Sequence, residues 1–255
     1  MVGTNQWANR QMRDIYVRKA AEMGYKCRSA FKLIQIDEKY NLFDKSKTKV
    51  AIDLGSAPGS WVQVIRERVN QDCLVIGVDV VDQPGGLPGA HFIHGDFTSL
   101  QVQRELKMML EAGDNTGAVD VITSDMCPNV RGDSSDYARI AALDAKALAF
   151  AMTQLKVGGH FVCKIRGGKH YCDEVTDICT RHFMDWHSFK PEASRNDSSE
   201  SFIVAVSRLA HPKRVERDKV VYGLDDWPGL RRAEEYSARR RGGSGGFNAR
   251  GRGRR

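Results

Sequence analysis

The chain has 255 residues, 41% of them hydrophobic, and a formal net charge of +7. That length and apolar content predict one globular domain with appendages, and no apolar run approaches the roughly 18 residues that a helical membrane span takes. Its six cysteines (Cys27, Cys73, Cys127, Cys163, Cys172 and Cys179) form no CxxC pair, which argues against a zinc or thioredoxin site and for reduced core thiols of an intracellular protein.

In chain order, the first 20 residues carry charge and no apolar stretch of the kind a secretory signal needs. Residues 8–23 mix polar and apolar positions and predict a helix. SAFKLIQIDEKYN (29–41) is a clearer one, with Ala30, Leu33, Ile34 and Asp37 at helical spacing and Ser29 as the expected N-cap. KVAIDLG (49–55) reads as a buried strand ending in a glycine turn, GSWVQVIRERV (59–69) as a helix and CLVIGVDVVD (73–82) as a second strand. QPGGLPG (83–89) is a loop by its Pro and Gly content. AHFIHGD (90–96), VDVITSD (119–125) and GGHFVCKI (158–165) are further strands, with helices at 101–112, 138–155 and near 172–182. Strands near 185–190 and 201–207 finish the core as an antiparallel hairpin closing one edge.

This alternation predicts an α/β fold: a mostly parallel, doubly wound seven-stranded sheet with helices on both faces. The expected organisation is a basic helical extension over 1–28, the domain over 29–210, a C-terminal extension over 211–238 with a docked segment around Trp227, and a disordered Arg/Gly tail over 239–255. The tail holds seven arginines and no acid. Residues 1–50 hold eleven Lys/Arg against five Asp/Glu, so the stretch between the two ends is acidic. Anionic partners are therefore expected at the ends.

VAIDLGSAPGSW (50–61) is a strand, a glycine turn and a helix start. In doubly wound sheets ligands bind beyond the carboxyl ends of the strands. Gly55 and Gly59 allow close backbone approach, yet the spacing is not GxGxxG, and no Lys-Ser/Thr follows to make a P-loop. Asp79 ends the second strand, where a carboxylate commonly holds ribose hydroxyls, and Asp96 ends the third, where an acid can accept from an adenine amino group. This order of acids points to S-adenosylmethionine rather than a dinucleotide. Asp125 in SDMCPN ends the fourth strand. Lys164 lies in the apolar run FVCKI, where burying an ammonium costs several kcal/mol unless it is paired. Glu200 at the start of the last strand and Lys32 on the early helix can reach the same mouth.

The segments CRSAFKLIQIDEKY, DLGSAPGSW, VIGVDV, GDF, SDMCPN, GGHFVCKI and KPEASRNDSSESFIVA together resemble the FtsJ (RrmJ) family of ribosomal RNA ribose 2′-O-methyltransferases. The resemblance runs over about residues 6–207. Its Rossmann-like fold, its S-adenosyl-L-methionine cofactor and its Lys-Asp-Lys-Glu tetrad are what the resemblance implies here, the tetrad falling on Lys32, Asp125, Lys164 and Glu200. The implied cofactor residues are Asp53, Gly55, Pro58, Gly59, Ser60, Trp61, Asp79, Asp96 and Asp125, with no metal. NQWANRQMRDIYVRKA and KPEASRNDSSE look most like the mitochondrial branch, whose members are similar to enzymes modifying a uridine of the large-subunit rRNA A-loop. That implies ribosomal RNA within a large-subunit precursor as partner, a role in ribosome biogenesis and a mitochondrial location, with nucleus or cytoplasm as the alternative. No membrane partner or oligomer is implied. Cys127, Ser56 and Ser60 depart from the family's usual small residues, and the Arg/Gly tail lies outside its pattern.

Two roles stay open for Lys164: a base for the 2′-hydroxyl, with Asp125 and Glu200 orienting it, or a charged group stabilising the developing alkoxide. An ordinary lysine is neutral in only about one molecule in 2,500 at pH 7. Lys32 is expected to position the ribose and its phosphate. RNA is expected along Arg10, Arg13, Arg18, Lys19, Lys26 and Arg28, and the tail adds a log–log salt slope of at most roughly −5 on single strands. The competing readings are an rRNA-binding assembly factor with little catalysis, a tRNA or mRNA-cap methyltransferase and, least favoured for want of GxGxxG, an oxidoreductase.

Overall fold

The structure, a computed structural model, describes residues 14–112, 118–128, 135–166 and 169–213. The expectations for residues 1–13, for the segment around Trp227 and for the Arg/Gly tail lie outside these residues. The elements follow in order: α1 (Ile15–Glu22), α2 (Ala30–Tyr40), β1 (Val50–Leu54), α3 (Ser60–Arg68), β2 (Leu74–Asp79), β3 (His91–His94), α4 (Leu100–Ala112), β4 (Val119–Ser124), α5 (Ser135–Gln154), β5 (Leu155–Arg166), α6 (Lys169–His182), β6 (Phe183–Phe189) and β7 (Glu200–Arg208).

The seven strands form one sheet in the order β3-β2-β1-β4-β5-β7-β6. Strands β1 to β5 pair in parallel, and β7 runs antiparallel to both β5 and β6. The expected hairpin is present, but its second strand lies inside the sheet and β6 forms the edge. Central strands β1 and β4 are buried at every residue, as parallel strands covered on both faces must be. Alternate side chains feed two cores. Ile52, Ile122, Phe161, Cys163 and Ile203 pack against α4, α5 and α6, while Ala51, Val121, Val162, Phe202 and Val204 pack against α1, α2 and α3.

Several boundaries differ from the sequence reading. β5 begins at Leu155, before the Gly-Gly pair taken as its start. The pairing shifts register between Val119 and Val121, and Gly158, at φ +84°, takes up the irregularity within the strand. β2 stops at Asp79 and β3 at His94, so Asp96 sits in the turn that follows. Ser29 takes the expected N-cap position, but its backbone is already helical and its side chain makes no capping bond. The helix end is better secured. Asn41 adopts the left-handed conformation at φ 50°, and the Asp37 carboxylate accepts from the N–H groups of Leu42 (2.9 Å) and Phe43 (3.1 Å).

Asp37→Ala removes the acceptor of two amides in a buried turn. We expect a loss of about 2–4 kcal/mol in chemical denaturation, and an unchanged midpoint would show that water replaces the carboxylate.

Candidate active site

The period of two along a strand explains how a lysine enters an apolar run. Cys163 and Ile165 point into the core under α5, while Lys164 points to the opposite face, in register with Phe202 of β7. Glu200 pairs with Arg166 in the same antiparallel ladder and so shares that face. α2 packs over this part of the sheet and brings Lys32 down from above, its Nζ 5.7 Å from the centre of the Phe202 ring. Asp125, one residue past β4, projects from the neighbouring strand end.

The four side chains meet. Lys164 Nζ lies 2.8 Å from Asp125 Oδ1 and also donates to the Asp125 carbonyl. Lys32 Nζ lies 2.8 Å from Glu200 Oε1 and 3.8 Å from Asp125 Oδ2. Arg166 adds a longer contact to Glu200, at 3.7 Å. Lys32, Lys164 and Glu200 are all buried, so the cluster is tolerated only because two ammonium groups face two carboxylates. Burial alone would raise the Asp125 carboxyl, but Lys164, then Lys32, and a hydrogen bond from Ser29 hold it below the usual range. Burial opposes ionisation of Glu200 too, and the charge and hydrogen bond of Lys32 outweigh it.

Three groups near the cluster were not singled out from sequence as site residues. Ser29 Oγ donates to Asp125 Oδ2, and Ser29 in turn receives the Trp61 indole N–H at its carbonyl, 2.9 Å away. Its sequence signals are those of a helix cap and its place three residues before Lys32. Arg166 gave no signal beyond following Lys164 by two. Asp144 of α5 is 7% exposed, and burial, against the pull of Lys164, pushes its carboxyl well above the usual range. A lone Asp on a helix gives no sign of this in the sequence.

The glycine turn lies beside the cluster. Gly55 (φ +75°) and Gly59 (φ +106°) need conformations that L side chains rarely adopt, and a Cβ at Gly55 would collide with Met126. Asp79 braces the turn, accepting from Ala57 N–H and Val81 N–H at 2.8 Å each. Asp96 Oδ1 accepts from Thr98 N–H and Oγ1. Asp53 is enclosed, accepting from Thr123 Oγ1 at 2.7 Å; burial, against that bond and with Asp125 and Asp79 nearby, pushes its carboxyl well up. Pro58 is exposed at the tip, and buried Ser60 accepts from the Cys27 thiol at 3.1 Å. Trp61 is also buried and meets the cluster through Ser29 and through the Phe202 ring. Gln83 holds Ser56 Oγ at 2.7 Å, and its own Oε1 is a buried acceptor with no hydrogen-bond partner among the described residues. A turn flanked by two glycines, an acid at the end of β2, another after β3 and an orphaned acceptor fit a nucleoside bearing an amino-acid tail. No group of His, Cys, Asp and Glu that could hold a metal ion occurs among the described residues.

Comparison with known proteins agrees with this architecture. The FtsJ-like methyltransferase family model matches residues 25–208. The Ribosomal RNA large subunit methyltransferase E of Methylobacillus flagellatus is 38% identical over 79% of this chain and 94% of its own. That of Haloarcula marismortui is 36% identical over 84% of this chain and 82% of its own. A crystal structure from Plasmodium falciparum, assigned as a ribosomal RNA methyltransferase, superposes with a TM-score of 0.62 at 27% identity, covering 72% of this chain and 99% of that one.

Asp125 and Glu200 have folded-state pKa values below those of the unfolded chain. Their stabilisation is complete above about pH 4 and lost as pH falls through the lower folded-state values. Asp53 and Asp144, raised instead, act with the opposite sign. Asp125→Asn should therefore cost about 3 kcal/mol at neutral pH, and its gap from wild type should narrow as pH falls from about 4 towards 2. A gap in denaturation midpoint that stays constant with pH would contradict the ion-pair account.

Proposed function

We propose a function from one premise: the chain belongs to the FtsJ-like methyltransferase family. The reading is transfer of a methyl group from S-adenosyl-L-methionine to a ribose 2′-hydroxyl of large-subunit ribosomal RNA. A uridine of the A-loop is the proposed target, in a large-subunit precursor, and the mitochondrion the proposed compartment. The observation that carries it is the tetrad, in which two lysines and two carboxylates meet at the open ends of β4 and β5 beside the glycine turn. Relatives named for large-subunit rRNA methylation support the substrate class.

The cofactor, when bound, supplies an activated methyl group, so the protein needs no covalent intermediate. The glycine turn, Asp79, Asp96 and Gln83 would hold it. The chain's own task is to align the hydroxyl and manage its proton. Lys164 donates one N–H to the Asp125 carbonyl and is ion-paired with the Asp125 carboxylate at 2.8 Å. A further N–H direction of the ammonium would serve the ribose oxygen. An anionic Asp125 fixes the orientation of Lys164, and Glu200 does the same for Lys32, which binds the ribose and its phosphate. With Asp125 ionised, the arrangement favours Lys164 as a charged donor to the developing alkoxide, the hydroxyl proton being released to water.

Basic residues leading to Lys32 supply the RNA path. Lys19 and Lys26 are exposed on it, whereas Arg10 and Arg13 lie outside the described residues. Arg28 has a further duty: its guanidinium lies 2.7 Å from Asp14 and donates to the Ala193 carbonyl, tying α1 to the loop before Glu200.

Methyl transfer from labelled cofactor to isolated large subunits and their rRNA tests the reading. Wild type should place label at a 2′-O-methylated nucleotide, and Lys164→Ala should lose at least about 100-fold in rate while still binding cofactor. Undiminished turnover by Lys164→Ala would overturn the assignment. Cofactor binding without transfer to any RNA would favour an assembly factor.

A further inference from the structure

The far end of α2 and the edge strand β6 build an aromatic cluster that the tetrad does not use. The Tyr40 and His187 rings stack, with centroids 4.9 Å apart and planes 23° from parallel. Phe189 meets Tyr40 edge-on at 5.7 Å. Lys39 Nζ lies 4.4 Å from the centre of the Phe189 ring and 5.4 Å from that of Tyr40. The cluster is only partly buried, and the His187 side chain is 41% exposed.

Its position links it to the site. His187 and Phe189 are in register with Val204 and Phe202, and so share the face of the sheet that carries Lys164 and Glu200. Phe202 lies under Lys32. Lys32 and Tyr40 stand at opposite ends of α2, about 12 Å apart along its axis. A strand whose ribose reaches Lys32 and Lys164 can therefore run along α2 and pass over the cluster.

We propose that Tyr40 and His187 form a base-stacking platform for an unpaired nucleotide flanking the modified ribose, with Lys39 beside it to meet the phosphate. The inference rests on the RNA reading above. Every base has a π-face, so such a platform adds affinity without choosing sequence. Charge at the cluster suits an anionic strand: Lys39 and Lys190 are exposed, and of the nearby acids Asp185 lies 3.2 Å from His187 and Glu38 3.8 Å from Arg68. The Asp185 contact is made at the ring edge, through Nε2.

The test is fluorescence anisotropy with the full chain and two probes: a short labelled oligouridylate and an abasic ribose-phosphate strand of equal length. Wild type should bind the oligouridylate about tenfold more tightly than the abasic strand. Tyr40→Ala and His187→Ala should each lose that preference, and Tyr40→Phe should keep it. The salt dependence should not change in any of them, because stacking releases no counterions. His187→Ala keeps the test usable if Tyr40→Ala does not fold. Retained preference in both alanine variants, or a reduced salt slope, would overturn the platform while leaving rRNA methylation intact. Wild type that binds neither probe and methylates no rRNA would remove the RNA reading, and the platform with it.

Discussion

Lys164 lies 2.8 Å from Asp125, Lys32 lies 2.8 Å from Glu200, and Asp125 is shared at longer range with Lys32. Neither lysine could be buried alone at tolerable cost, and the same holds for Glu200. The four charges are therefore mutually conditional, and so are the elements that carry them. α2, the β4 end, β5 and β7 must all be in place for any one charge to be compensated. The requirement couples the catalytic geometry to the packing of the whole α2 face.

That coupling extends outward. Ser29 connects Asp125 to Trp61, and Trp61 lies in the core under α2, its ring 5.7 Å from that of Phe202. The loop before Glu200 is fastened to the other elements by the Ala193 N–H to Gln35 Oε1, by the Arg28 guanidinium to the Ala193 carbonyl and by a contact of Arg195 with Asp14. One acid, Asp14, thus caps α1 and holds two arginines near the mouth of the site. Lys26 reaches from the same segment to the Gly86 carbonyl of the loop beyond β2, close to Gly59. The basic segment and the cofactor turn are in this way one connected structure.

The glycine turn follows a different logic. Its constraint is local: Met126 leaves no room for a side chain at Gly55, and positive φ disfavours one at Gly55 and Gly59. Asp79 serves the turn by bracing two backbone amides before any ligand is present. A pre-braced turn loses less conformational freedom on binding, which favours affinity without new contacts.

The alternation of strand and helix patterns was legible in the chain, because side-chain periods of two and 3.6 are local properties. So were the glycine turn and the acids after successive strands. The tetrad was nameable through resemblance, and Lys164 stood out unaided as a charge in an apolar run. Local pattern does not hold the partners of those charges. Glu200 reads as an ordinary strand start until β7 inserts beside β5, and Ser29 reads as a helix cap until Asp125 claims its hydroxyl. Asp144 shows nothing until α5 buries it, and Tyr40 and His187 are far apart until β6 becomes the sheet edge next to α2. Sequence determined which residues can form each element and which face each side chain takes. Only the tertiary structure decided which charges neutralise one another and which rings meet, since both depend on contacts between residues far apart in the chain.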